Sequence, residues 1–192
     1  MARECEAKFR LTDVDRVKKR LKSLGAMNEG TCLERNWLLD DENGSLRKMG
    51  IRLRIRSTGG SEGVLTIKMP LKGNEFKNRE EIEVKIESSD VALRQFDALG
   101  YNVTWIYEKI RQTWTYQDCI LMIDNCPDMG WFMEIEGTPK KIKAVAKALA
   151  LDPDGHINDS YRKLWKKYLS LRGRNIPYML FPDSPENERV AT

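Results

Sequence analysis

The sequence predicts an α+β fold: an eight-stranded antiparallel β-sheet, closed into a β-barrel, with helices packed outside. Three observations predict it. Segment after segment alternates ionic and apolar residues with period two, as strands with one polar face do. The order strand, helix, strand, strand, strand occurs twice, which is an internal repeat. Two such units supply eight strands, a number that closes. At 192 residues the chain is long enough for one sizeable core, so residues 1–172 are read as a single domain and 173–192 as a C-terminal extension and tail.

The first strand sets Glu4, Glu6, Lys8 and Arg10 on one face and Cys5, Ala7, Phe9 and Leu11 on the other. Thr12 and Asp13 then offer a helix cap, Val14, Val17, Leu21 and Leu24 recur at helical spacing, and Gly25 ends the helix. Strands are expected near 32–39, 51–57 and 64–69, with Glu42-Asn43-Gly44 and Gly59-Gly60-Ser61 as turns. The pattern restarts at Glu81-Ile82-Glu83-Val84-Lys85-Ile86, which repeats the charge spacing of Glu4 to Phe9. Ser89-Asp90 then caps a helix carrying Leu93, Phe96 and Leu99 and stopped by Gly100, before strands near 103–116, 119–125 and 131–137. A helix opens at Thr138-Pro139, with proline in its allowed first turn, and another runs from Asp159 or Ser160 to Leu171. Apolar residues 176–181 should pack down, and the last ten residues, from Asp183, should fray.

Composition excludes several classes. Thirty-three basic and 29 acidic residues leave a charge of +4, with 32% charged and 41% hydrophobic residues. That is too apolar for disorder and too mixed in sign for a polycationic arm. Mean hydropathy is −0.57, and no apolar run reaches membrane-spanning length or resembles a secretion signal. Cys5, Cys32, Cys119 and Cys126 have no C-x-x-C spacing, so neither a zinc site nor a disulfide framework is indicated and a cytoplasmic setting is expected.

The ionic faces carry the functional signal. They read Glu4, Glu6, Lys8, Arg10; Arg52, Arg54, Arg56; Lys68; Arg79, Glu81, Glu83, Lys85; Lys109, Arg111; Asp124; and Glu134, Glu136. An open sheet showing this face to water satisfies the alternation as well as a barrel does. Closure is favoured because it removes exposed edges, because an eight-stranded interior can hold a small ligand, and because arginine dominates the bases. A lumen of such charges must be wet. Converging bases would recognise a polyanion, and carboxylates without histidine or thiol would hold a hard cation, Mg²⁺ or Mn²⁺. Together they point to a polyphosphate.

These residues resemble a known family. Glu4-Cys5-Glu6-Ala7-Lys8, Gly50 to Arg56, Leu65-Thr66-Ile67-Lys68, Arg79 to Glu83, Glu108 to Arg111, Ile123-Asp124, Gly130 to Glu136 and Ser160 to Leu164 follow, in order, the pattern of the CYTH superfamily, the triphosphate tunnel metalloenzymes. That superfamily includes class IV adenylyl cyclases, thiamine triphosphatases and inorganic triphosphatases. The resemblance covers about Ala2 to Leu164 and implies an eight-stranded triphosphate tunnel. By it, Glu4, Glu6, Asp124, Glu134 and Glu136 look like metal-binding carboxylates. Arg54, Arg56, Lys68, Lys109 and Arg111 look like the triphosphate cradle, with Arg10, Arg52, Arg79 and Lys85 contributing. Lys8 resembles the lysine that helps activate the attacking water, and Glu81 and Glu83 are read as orienting groups or ligands of a second metal.

The implied activity is metal-dependent hydrolysis of inorganic tripolyphosphate or an organic triphosphate. The alternatives are adenylyl cyclase chemistry, which yields cyclic AMP and pyrophosphate, and a non-enzymatic polyphosphate- or nucleotide-binding module. The expected partner is a small-molecule triphosphate rather than a membrane or nucleic acid, with the chain a monomer or homodimer. Elsewhere, His156 reads as a solvated loop residue, Trp37 is the tryptophan placed nearest a nucleobase, and Tyr161 either closes a tunnel mouth or packs.

Overall fold

The computed structural model describes residues 2–71 and 76–187, without the side chains of residues 2–4 and 77. Eight strands, β1 (Ala2–Leu11), β2 (Met27–Asp40), β3 (Arg52–Ser57), β4 (Gly63–Pro70), β5 (Lys77–Ile86), β6 (Asn102–Tyr116), β7 (Cys119–Cys126) and β8 (Gly130–Glu136), pair antiparallel in the ring β1-β5-β4-β3-β2-β6-β7-β8. The ring shows what the repeat is for. β2–β3–β4 and β6–β7–β8 are two meanders joined by a long β2–β6 pairing, and the first strand of each repeat, β1 and β5, closes the gap between them. The β6–β7 hairpin turns on Gln117 and Asp118, both at positive φ, the two-residue geometry whose twist matches that of the strands.

Helices α1 (Val14–Ser23), α2 (Ser45–Lys48), α3 (Ser89–Ala98), α4 (Pro139–Ala148) and α5 (Tyr161–Ser170) lie outside the strands in sequence order. Asp13 caps α1 by accepting from the Arg16 amide at 2.9 Å, and Ser88, one residue before the expected cap, accepts from Val91. Each repeat's first helix sheathes the other repeat's meander. Val17 and Leu21 of α1, with Ile142, Val145 and Ala146 of α4, bury Leu121, Ile123, Met133 and Ile135 of β7 and β8. Ala92 of α3 packs with Trp37, Leu39, Leu53 and Ile55 of β2 and β3. Trp37 therefore belongs to this outer core and is not among the residues lining the interior cavity.

Three expectations are corrected. β2 begins at Met27, five residues early, because β6 is long enough to pair with all of it. The apolar face is not wholly sheathed: Ile82 and Val84 on β5 are 44% and 54% exposed, since α3 lies over β3 and β6. Residues 183–187 do not fray. β7 pairs with β6 only from Ile110 onward, and the C-terminal segment takes the vacant edge, with the Met179 amide donating to Ile106 and the Glu108 amide donating to Met179. Glu108 accepts from Arg35, from the Ser184 hydroxyl and from the Phe181 amide, so Ser184 and Glu186 are buried. Among the described residues no disulfide joins the four cysteines, and no helix is long and apolar enough to cross a membrane.

Candidate active site

The inward faces enclose a cavity of about 1280 Å³ lined by Glu6, Lys8, Arg52, Arg54, Arg56, Lys68, Arg79, Glu81, Glu83, Lys109, Arg111, Glu134 and Glu136, among others. Thirteen of the residues singled out by sequence thus reach one space. Asp124 lies fully buried just behind it. Arg10 and Lys85 are not among the lining residues: Arg10 donates to the Met129 carbonyl at 2.9 Å and stands over the Phe132 ring, and Lys85 is exposed. The Glu4 side chain lies outside the described residues.

On the β6–β7–β8 side the charges form one closed network. Arg111 binds Asp124 through two parallel bonds of 2.7 Å and also reaches Glu134. Lys109 donates to Asp124 at 2.9 Å, and the Tyr161 hydroxyl donates to the same carboxylate at 2.7 Å. Lys8 donates to Glu134 at 2.5 Å, and its ammonium sits 4.1 Å from the centre of the Tyr161 ring. Tyr161 is thus a wall of the site as well as a packing residue. Such bidentate, charge-assisted bonds are the strong ones, and without them burying these ions would cost several kcal/mol each.

This network fixes protonation states. Burial works against the Lys8 ammonium, but Glu134 and then Glu6 outweigh it and hold its pKa above the ordinary lysine value. Burial would raise Glu134, yet Lys8, Lys109 and Arg111 hold it well below the carboxylate range. Lys8 is therefore a donor at neutral pH, unsuited to the role of general base.

The β2–β3–β4 side is built differently. Arg54 donates to Thr66 at 3.2 Å and stands 3.6 Å from Glu83, to which the Thr66 hydroxyl donates. Arg56 donates to the Asn36 side-chain oxygen at 3.0 Å, and Lys68 pairs with Glu81. Glu34, which the sequence reading missed, is buried among these bases, 3.1 Å from Arg56, 3.4 Å from Lys109 and 3.8 Å from Arg111. Among the described residues, Arg54 Nε, Asn36 Nδ2 and Glu34 Oε2 are buried without a hydrogen-bond partner. Tyr107, also missed, lines the cavity with its ring stacked on Trp105 at 4.6 Å. Burial would raise its phenol, but Arg54, Lys109 and Arg56 bring it below the ordinary value.

Among the described residues no three acids form a ready-made metal site, because Glu134 and Asp124 already answer bases. The donor set nevertheless fits a hard cation. Glu6 and Glu136 lie directly opposite on β1 and β8 and both line the cavity, which sets two carboxylates, the ligand type that hard cations take, on one wall. Magnesium is commonly held by one or two carboxylates with substrate oxygens and water completing its shell.

Comparison with known proteins agrees with this geometry. The family profile described as the CYTH domain matches residues 2–152. A protein of Methanocaldococcus jannaschii, provisionally named an adenylate cyclase, is 30% identical over 84% of this chain and 97% of its own. A structure from Vibrio parahaemolyticus, also provisionally named an adenylate cyclase, superposes with a TM-score of 0.74 at 19% identity, over 85% of this chain and 97% of that one. A Hippeastrum protein, provisionally named an adenylyl cyclase and described as having a dominant triphosphatase activity, superposes with a TM-score of 0.60 at 18% identity, over 92% and 98% of the two chains.

Proposed function

The chain belongs to the CYTH domain family, and from that premise we propose that it is a metal-dependent hydrolase of a triphosphate-containing substrate bound inside the closed ring. One observation carries the reading: Lys8, Arg54, Lys68, Lys109 and Arg111 are buried and all face a single cavity. Cations are not buried together without anions to answer them, and the acids present do not satisfy every donor.

In this reading phosphate oxygens accept from Arg54, Arg56, Lys109 and Arg111, which are already oriented by their own partners. Such donors stabilise the charge that spreads over a transferred phosphoryl group without reorganising at the moment of reaction. Lys8, held as an ammonium by Glu134, donates to a phosphoryl oxygen or to the attacking water and fixes its line of approach. The water oxygen bonds to phosphorus as the bridging P–O bond breaks, and the proton passes to solvent. Glu6 and Glu136, with Glu4 and Glu134 beside them in sequence, would hold the Mg²⁺ or Mn²⁺. When bound, the cation neutralises phosphate charge and acts as a Lewis acid. Glu81 and Glu83 orient Lys68 and Arg54.

A second reading is cyclisation of ATP, in which the ribose hydroxyl attacks the α-phosphate and pyrophosphate leaves. The Trp105–Tyr107 stack favours it, since it gives the cavity a flat aromatic face, as does the name of the Methanocaldococcus jannaschii relative. The test is an assay with Mg²⁺ or Mn²⁺ against tripolyphosphate, thiamine triphosphate and ATP, reading phosphate, pyrophosphate and cyclic AMP separately. Phosphate release without cyclic AMP is expected. Cyclic AMP as the main product moves the reading to the cyclase, and full activity in Glu136→Gln removes the metal assignment.

A further inference from the structure

We infer that Glu34 is a built-in stand-in for substrate: in the free protein its carboxylate occupies a phosphoryl seat among Arg56, Lys109 and Arg111, and a polyphosphate binds by displacing it. The inference rests on the polyphosphate reading of the cavity and adds a residue that controls its affinity.

The placement follows from register. Glu34 is paired with Lys109 across β2–β6, and the next inward residue of β2, Asn36, is paired with Arg56 on one side and Tyr107 on the other. An acid therefore sits where the bases of both meanders converge. Its bonds contrast with those of Asp124, another carboxylate shared by Lys109 and Arg111. Asp124 is gripped at 2.7–2.9 Å by both bases and by Tyr161. Glu34 is held at 3.1 Å or more, and its Oε2 accepts no hydrogen bond although the Lys109 ammonium lies 3.4 Å away. A carboxylate with a permanent structural duty makes short charge-assisted bonds; this one neutralises its neighbours without saturating them.

The donors beside it tell the same story. Asn36 Nδ2 and Arg54 Nε are buried and unanswered, and leaving buried donors unmade is costly. A tetrahedral phosphoryl group brings more oxygens and more charge than a carboxylate, so it can take the Arg56, Lys109 and Arg111 contacts and answer Arg54 as well, which lines the same cavity. When phosphate or pyrophosphate leaves, Glu34 returns to the cations and opposes rebinding. Glu34 thus sets how much charge a ligand must bring, and speeds product release.

The test is calorimetric titration of inorganic tripolyphosphate in EDTA, which reads binding without turnover. Glu34→Gln keeps the shape and removes the competing charge, and should tighten binding by about tenfold or more, in keeping with the coupling of close buried charges. Glu34→Asp keeps the charge on a shorter stem, compatible with the fold, and should gain about threefold. Equal or weaker binding in Glu34→Gln, or no gain in Glu34→Asp should the first variant not fold, overturns the inference. Loss of Mn²⁺ affinity in Glu34→Gln, titrated separately without EDTA, also overturns it, by making Glu34 a metal ligand. Wild type and variants that all fail to bind, in EDTA and again with Mg²⁺ present, remove the polyphosphate reading itself. Wild type that binds, beside a variant that binds no better, removes only the role of Glu34.

Discussion

The two meanders share one pattern of strands and use charge in opposite ways. β2–β3–β4 turns inward Arg52, Arg54, Arg56 and Lys68 against Glu34, while β6–β7–β8 turns inward Lys109 and Arg111 against Asp124, Glu134 and Glu136. On the acidic meander every base named is locked to a carboxylate, in part through paired 2.7 Å bonds. On the basic meander Arg54 meets a neutral hydroxyl and the half-exposed Glu83, Glu34 comes no nearer than 3.1 Å to Arg56, and donors are left open. The difference separates two tasks that a polyphosphate enzyme needs at once. A fixed frame holds protonation states and alignment, and a seat whose cations can exchange one anion for another accepts substrate and lets product go.

The sharpest way to break this contrast is to remove one carboxylate from each side. Asp124→Asn leaves Lys109 and Arg111 short of their shared partner in a fully buried place, and should cost about 3–5 kcal/mol in urea unfolding. Glu83, 47% exposed and 3.6 Å from Arg54, is a surface-like partner, so Glu83→Gln should cost less than about 1 kcal/mol. Comparable losses in the two variants would erase the distinction between frame and seat.

Kinetics should divide along the same line. Lys8→Met removes a donor that Glu134 holds in place, and should lower kcat by about a hundredfold with little change in KM. Arg52, half-buried at the cavity wall, contributes binding that substrate and transition state share, so Arg52→Met should raise KM about tenfold and spare kcat. The reverse pattern would exchange the roles of the two walls.

How much of this was legible in the sequence depends on how regularly charge alternates. β1, β3 and β5 announce themselves because ionic residues recur at every second position, and the repeat made eight strands countable. Thirteen inward charged residues follow from that period once the sheet is taken to close. Arg10 and Lys85 satisfy the same period but fall beyond the cavity, since parity gives the face of a strand and says nothing of height along it. Glu34 was hidden because β2 carries Glu34 and Arg35 in succession, which reads as a solvated pair, whereas Arg35 in fact points outward to Glu108. The burial of Ser184 and Glu186 was equally hidden. Their short polar segment is held by Glu108 and Arg35, partners about 75 to 150 residues away in sequence, a distance at which local propensity carries no signal.

An effect smaller than that of Asp124→Asn should come from acid. Burial alone would raise the Glu34 carboxyl, but Lys109, then Arg111, Arg56 and Arg54, hold it below the ordinary carboxylate range. A group whose native pKa is depressed contributes stability that is fully present above its unfolded value, about 4.3, and is lost as pH falls through the native one. The stability of wild type over Glu34→Gln should therefore be largest near neutrality and shrink by about 1–2 kcal/mol between about pH 5 and about pH 3. Urea unfolding of both proteins across that window measures it. A gap that stays constant down to the acid end would mean that Glu34 acts through shape and not through charge. The seat would then owe its cations' arrangement to packing, and the division between an exchanging wall and a fixed one would rest on Arg54 and Asn36 alone.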